Sequence, residues 1–329
     1  MNIYQNKITL REGVDMGAKI YESNYKDQKC LAMESEKLIV KVIPNSGGKI
    51  QCIYDKEGQK ELLYQSPWEK YRVSAYDTSY GEGEFSGFDE MFPAISEGYY
   101  PSGPWKGARV PDHGEVWSIP WSVIDTNACI TLEVYGVRFP YRLRRKIEFS
   151  GEKGVRLSYT AENLSDFDFE FIWAAHPLFN CSENTVIVLP ESVSSVINTE
   201  PSVRMGGYGR IHPWPITQTP EGEMYDMTRV APESSRFYEK YYVYGKMQEG
   251  WCGLQDTKTG RFIKLSFPVD VVPYLGMWIN EGGLAGEYNI APEPCTGAPD
   301  RIDTAKQWGQ AAVIAPKSEY GWHLSITVG

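Results

Sequence analysis

Long apolar runs are missing from this 329-residue chain. No window approaches the ~18 apolar residues of a spanning helix, so a membrane partner is not expected. The opening MNIYQNKITLREG lacks an apolar signal core, which points to a cytoplasmic protein. Basic residues are in deficit, 33 Lys and Arg against 43 Asp and Glu, for a net charge of −10. No basic stripe is present, and nucleic acid is set aside as a partner because phosphate binding needs clustered cations. The six cysteines (Cys30, Cys52, Cys129, Cys181, Cys252, Cys295) are dispersed, with no CxxC and no zinc-like Cys/His spacing. They read as reduced, mostly buried thiols. Phosphate cradles are absent too: GGLAGE (282–287) has neither the GxGxxG spacing nor a Walker lysine. GxSxG is lacking, which argues against a hydrolase elbow. Helical periodicity is scarce, DRIDTAKQWGQ (300–310) being one short candidate. Histidine is rarest of all the titratable residues, with four in the chain.

What fills the chain is β punctuation. Short β-branched or aromatic runs recur between clusters of Gly, Pro, Asn and Asp. Examples are KLIVKVIP (37–44), ACITLEVYG (128–136), YRLRRKIEFS (141–150) and the closing AAVIAPKSEYGWHLSITVG (311–329). Strand-like runs are dense from about residue 37 to the end, with no repeat and no linker. The expected fold is all-β: one domain over residues 1–329, a large antiparallel β-sandwich with residues 1–30 as peripheral strands. Segments 66–122 and 195–245 are rich in Gly, Pro, Tyr and Trp with weak strand signal. Long irregular segments in a compact domain tend to carry function.

Several residues stand out against this background. In FDFEFIWAAHPLF (167–179), aromatics at spacing two bury one strand face and put His176 on the other, behind the small Ala174. His176 then either lines a cleft or is a structural histidine bonded to backbone. His113, in VPDHGEVWSIPW (110–121), is a loop histidine flanked by Asp112 and Glu115, either tuned by a carboxylate or simply solvated. His323, in a terminal strand, reads as structural; His212, in RIHPWPITQTP (210–220), is either structural or placed near the cleft. Glu293, in NIAPEPCTGAPDR, sits between prolines that hold the backbone extended; it is a fixed base or a surface turn. Asp300 and Arg301 read as an ion pair or a helix cap. Asp89 and Glu90 lie in the apolar context of GFDEMFPAI (87–95), where carboxylates need partners; they either bind sugar hydroxyls or cap a helical turn. Among ten Trp and 22 Tyr, Trp117, Trp173 and Trp278 adjoin these motifs and offer flat surface to a sugar ring, or serve a large core.

From about residue 35 to 329 the order of motifs resembles the galactose mutarotase (aldose 1-epimerase) superfamily. IPNSGGKIQCIYD is followed by DHGEVW, AAHPLF, LQDTKTGRFIKLSF, MWIN and the EP segment ending in PD. The resemblance implies a galactose mutarotase-like supersandwich that interconverts sugar anomers with no metal or cofactor. It implies Glu293 as the base on the anomeric hydroxyl, His176 as the acid on the ring oxygen, and His113 as a positioning partner. Asp89, Glu90, Trp117, Trp173 and Trp278 are then candidate sugar contacts. Two departures point away from galactose and glucose. GFDEMFP stands where many members present an arginine, and KYYVYG (240–245) occupies the neighbourhood of an aspartate. Two other functions fit the same residues: a non-catalytic carbohydrate-binding protein of the same fold, and a glycosidase or lyase using paired carboxylates such as Asp89 and Glu293.

Overall fold

The computed structural model describes residues 18–329. Two large antiparallel sheets dominate it, one of 13 strands and one of eight among the described residues. Runs such as Tyr141–Phe149 and Gly154–Asn163 alternate buried and half-buried residues, the signature of a sheet with one face in the core. The core is a continuous apolar cluster fed by both sheets, including Val40, Phe88 and Ile290 from the larger and Leu143, Leu157 and Leu324 from the smaller. The all-β sandwich expectation therefore holds. One α-helix, Ile302–Gln307, falls inside the segment expected to be helical. No helix among the described residues is long and apolar enough to cross a membrane.

Of the expected peripheral strands in residues 1–30, Lys19–Tyr25 and Gln28–Glu34 form the edge of the larger sheet; residues 1–17 lie outside the described part. Segment 195–245 is more regular than its composition suggests. It contains Phe237–Val243, a seven-residue strand inside the larger sheet. Glu239 and Lys240 mask its strand signal, and both are buried because each has an ion-pair partner.

The middle of the larger sheet runs, strand by strand, Lys49–Asp55, Phe88–Met91, Ala174–Pro177, Tyr288–Cys295, Tyr274–Glu281, Phe237–Val243. Its register decides what faces what. Ile50 pairs with Phe88, His176 with Asp89, Ala174 with Cys295, Gly276 with Glu293, and Tyr242 with Gly276. Continuing these antiparallel registers by one or two residues sets Lys49 opposite Asp89 and His176 opposite Glu293. Lys49, Asp89, His176, Glu293, Gly276 and Tyr242 thus form one row across six strands, on one face of the sheet.

The loop carrying His113 is fixed from below. Gly114 has φ +74°, and a Cβ there would sit 2.1 Å from the Phe92 carbonyl oxygen. Gly114→Ala should therefore destabilise the protein by more than about 1 kcal/mol. A urea midpoint equal to wild type would contradict this close packing. His113 itself adopts φ +58°, an uncommon conformation for a residue with a side chain, held by its N–H bond to the Ile95 carbonyl at 2.7 Å.

Candidate functional site

Glu293 lies at the centre of the row. It is not in a surface turn: its strand is interior to the sheet and its side chain is fully buried. Flanking Pro292 and Pro294 cannot donate to a ladder. On the side of His176 the strand's recorded pairing is limited to Cys295 with Ala174 and, farther along, Ile290 with Phe179 and Asn289 with Asn180. The prolines fall in that gap. Gly276 opposite leaves room for the carboxylate, since a Cβ there would stand 3.1 Å from Glu293 Oε2. Glu293 Oε1 is 3.6 Å from His176 Nε2, and Oε2 is 2.9 Å from Lys240 Nζ. Oε2 is therefore engaged by the Lys240 ammonium, while Oε1 has no hydrogen-bond partner among the described residues. Burial raises the Glu293 pKa, Lys240 opposes that rise, and Asp300 adds to it.

His176 is 4% exposed. Burial, followed by the positive charges of His113, Lys240 and Lys49, holds its pKa well below the usual 6.5. Its Nδ1 meets the Tyr80 hydroxyl at 3.1 Å, and the same hydroxyl donates to Asp89 Oδ2 at 2.8 Å. Lys49 Nζ lies 2.9 Å from that oxygen. His113 completes the group. Its ring centroid is 5.3 Å from that of His176, and the Tyr80 ring stacks flat on it at 3.9 Å. The Asp112 carboxylate holds His113 Nδ1 at 2.8 Å. Burial alone would raise the Asp112 pKa, but its hydrogen bond with His113 and the charge of that ring bring it down to about 2.

Lys240 is shared. Besides Glu293 it pairs with Asp300 Oδ1 at 3.3 Å, and the Tyr242 hydroxyl donates to the same oxygen. Burial alone would lower the Lys240 pKa, but Asp300 and Glu293 raise it above its usual value, so the amine stays charged. Asp300 is consequently neither paired with Arg301 nor the helix cap: Arg301 binds Asp303, and the residue preceding the helix is Arg301.

The structure therefore gathers His113, His176, Glu293 and Asp89. Trp117 stands one layer behind, edge-on to Tyr80 at 5.0 Å with its indole N–H on the Asp112 carbonyl. Trp278 shares the face of Glu293, opposite Lys240 and Ala291, and packs on Tyr238 with its Nε1 unpartnered. Glu90 and Trp173 are not brought to the cluster. Alternation turns them to the opposite face, where Glu90 accepts from Arg145 at 2.7 Å, Tyr159 at 2.8 Å and Trp173 Nε1 at 2.7 Å, all fully or nearly buried. The adjacent carboxylates at 89 and 90 thus divide between site and core. His212 is satisfied by Thr217 and the Met205 carbonyl, outside the cluster. Tyr80, Lys49, Lys240 and Tyr242 were not singled out from the sequence. KYYVYG contains two of them, marked there as a departure from the aspartate of the resembled family. A separate surface recess lined by Lys60, Asn180, Asp256 and Arg261 contains none of the clustered groups.

Such an arrangement can move protons. An interior carboxylate with free acceptor capacity faces an imidazole nitrogen, and a fixed cation stands behind it.

Comparison with known proteins bears on the fold around this site. A family model described as aldose 1-epimerase matches residues 94–236, a stretch that includes His113 and His176. No curated protein matches the chain. Among solved structures, a protein of Synechocystis sp. PCC 6803 is 16% identical with TM-score 0.68, over 98% of this chain and 99% of that one. A galactose mutarotase related enzyme from Lactobacillus acidophilus is 14% identical with TM-score 0.63, over 91% and 97% of the two chains. A galactose mutarotase-like protein from Clostridium acetobutylicum is 15% identical with TM-score 0.64, over 95% and 98%. At these identities the likeness is one of fold.

Proposed function

We propose, for a chain of galactose mutarotase-like fold with an aldose 1-epimerase sequence match, that it interconverts the anomers of a free monosaccharide at the Glu293–His176 pair. The observation that carries this reading is the 3.6 Å approach of His176 Nε2 to Glu293 Oε1, an oxygen without a hydrogen-bond partner among the described residues, while Lys240 holds Oε2 at 2.9 Å. Anomer exchange needs one proton taken from the anomeric hydroxyl and one given to the ring oxygen. Glu293 takes the first as His176 gives the second; on closure Glu293 returns a proton to the carbonyl oxygen and His176 takes one back from the hydroxyl that re-forms the ring. The ring opens, the C1–C2 bond rotates, and the aldehyde recloses on its other face. The pair then carries one proton throughout. With that proton on His176 it meets the closed ring; with it on Glu293 it meets the open chain. Burial favours the second, uncharged form, and Lys240 counters by stabilising the Glu293 carboxylate.

Lys240 is accordingly a positioning residue with a measurable signature. Lys240→Met removes the charge that lowers the Glu293 pKa. The acidic limb of the kcat/KM profile, where the base must be ionised, should move to higher pH, and Lys240→Arg should move it back. A limb unmoved in Lys240→Met would sink this role. We also propose that residues 18–329 act as one domain, a reading supported by the apolar cluster common to both sheets.

The test is anomer exchange by magnetisation-transfer NMR with the purified full chain and a panel of free aldoses. Acceleration on a sugar that binds supports the mutarotase. Binding without acceleration on any sugar favours the non-catalytic carbohydrate-binding protein.

A further inference from the structure

The geometry joins Lys49, Asp89 and Tyr80 into one device: we infer that they hold the His176 imidazole with its proton on Nδ1, leaving Nε2 as the nitrogen that works opposite Glu293. The inference rests on the acid–base reading of the Glu293–His176 pair.

Lys49 is buried, lies close to the carbonyls of Glu84 and Ser86, and stands 2.9 Å from Asp89 Oδ2. Burial raises the Asp89 pKa, but the Lys49 ammonium at 2.9 Å and the Tyr80 hydroxyl oppose that rise; taken as a carboxylate, Asp89 can only accept. Tyr80 has one hydroxyl proton, and its oxygen lies 2.8 Å from Asp89 Oδ2 and 3.1 Å from His176 Nδ1. Burial, reinforced by the Asp89 charge, keeps the phenol from ionising. The single proton goes to Asp89. The Tyr80 oxygen must then accept from His176, which puts the imidazole proton on Nδ1. The chain runs His176 Nδ1–H to Tyr80 O–H to Asp89, closed by Lys49.

The other charged or titratable groups around the ring do not supply a competing Nδ1 partner. Glu293 is at Nε2, at 3.6 Å. Lys240 and His113 contribute charge, His113 with its ring centre 5.3 Å away. The Tyr80 ring is itself fixed, stacked on His113 and edge-on to Phe85 and Trp117, so the hydroxyl is delivered by packing. In the other tautomer, a neutral His176 would turn an Nε2 proton to Glu293 and have no lone pair there to receive the ring-oxygen proton on closure. A carboxylate fixing a histidine tautomer through direct contact is familiar chemistry; here a tyrosine is interposed.

Histidine-15N labelling of the full chain tests this directly, because long-range 15N–1H spectra show which ring nitrogen carries the proton. Only four histidines contribute, and His176→Gln identifies the signals of interest. Wild type above pH 6 should show His176 protonated on Nδ1. Tyr80→Phe keeps the ring stack and removes one oxygen; His176 should then shift toward the Nε2–H form, with His212 and His323 unmoved. Anomer exchange should fall about 10²-fold, within what an aligned acid–base group contributes, chiefly in kcat. Wild type with its proton on Nε2 overturns the inference, whether or not Tyr80→Phe folds. An unchanged tautomer in folded Tyr80→Phe overturns it as well. The expected tautomer without exchange on any aldose supports the relay and removes the mutarotase reading. Exchange with the opposite tautomer does the reverse.

Discussion

Glu293→Gln should lower anomer exchange by about 10²–10⁴-fold while leaving the protein folded. At 1.36 kcal/mol per factor of ten, that is about 3–5 kcal/mol of transition-state stabilisation. The amide fills the space left by Gly276 opposite and keeps the side chain's shape, so packing changes little. Lys240 retains Asp300 as a counter-ion, and its amine is not left alone in the interior. What disappears is the capacity to hold a proton. Glu293→Asp should recover little, because the carboxylate withdraws by one methylene from a nitrogen already at 3.6 Å. Near-wild-type exchange in a folded Glu293→Gln would mean that the base lies elsewhere. The carboxylates left to consider would be Asp89, Asp112 and Asp300, each engaged by a different cation or imidazole.

The alternation of residues 167–179 put His176 off the aromatic face, and the structure keeps that division only in part: the segment breaks into Phe169–Phe171 and Ala174–Pro177, Phe167 is exposed, and Ile172 and Ala174 join Trp173 and Ala175 in the core while His176 joins the row. The same rule applied to Asp89 and Glu90 would have split them, but their strand is four residues long and lies in a segment whose composition reads as loop. Glu293 could not be placed by local pattern. A glutamate between two prolines suits a turn, and only the gap in pairing on one side of its strand lets prolines sit inside a sheet. Tyr80 and Lys240 were hidden for another reason. Tyr80 comes from an irregular segment and reaches His176 over 96 positions of sequence, and Lys240 meets Glu293 through strand order. Alternation within a strand is local and legible. A row across six strands depends on register between distant segments, which no single segment encodes.

Removing Arg145 should cost stability, by about 3–5 kcal/mol for Arg145→Met, because it strands a buried carboxylate. Arg145 and Glu90 are both fully buried, 2.7 Å apart, and Arg145 also donates to the Gly48 carbonyl and lies 5.1 Å from the Trp121 ring centre. Tyr159 and Trp173 would still donate to Glu90, but neither carries charge. The double variant Arg145→Met/Glu90→Gln should regain part of the loss, since no uncompensated ion then remains. Urea unfolding checks both, and one transition is expected if the sheets form a single domain as proposed. A single-variant loss below about 1 kcal/mol would place the pair among ordinary surface bridges in worth. The consequence reaches the site through one peptide bond. Glu90 is pinned on the core side of the strand whose next residue, Asp89, turns to Lys49 and Tyr80 on the other. Loosening the first should loosen the second, so in Arg145→Met the His176 tautomer should become mixed at temperatures where wild type is still uniform.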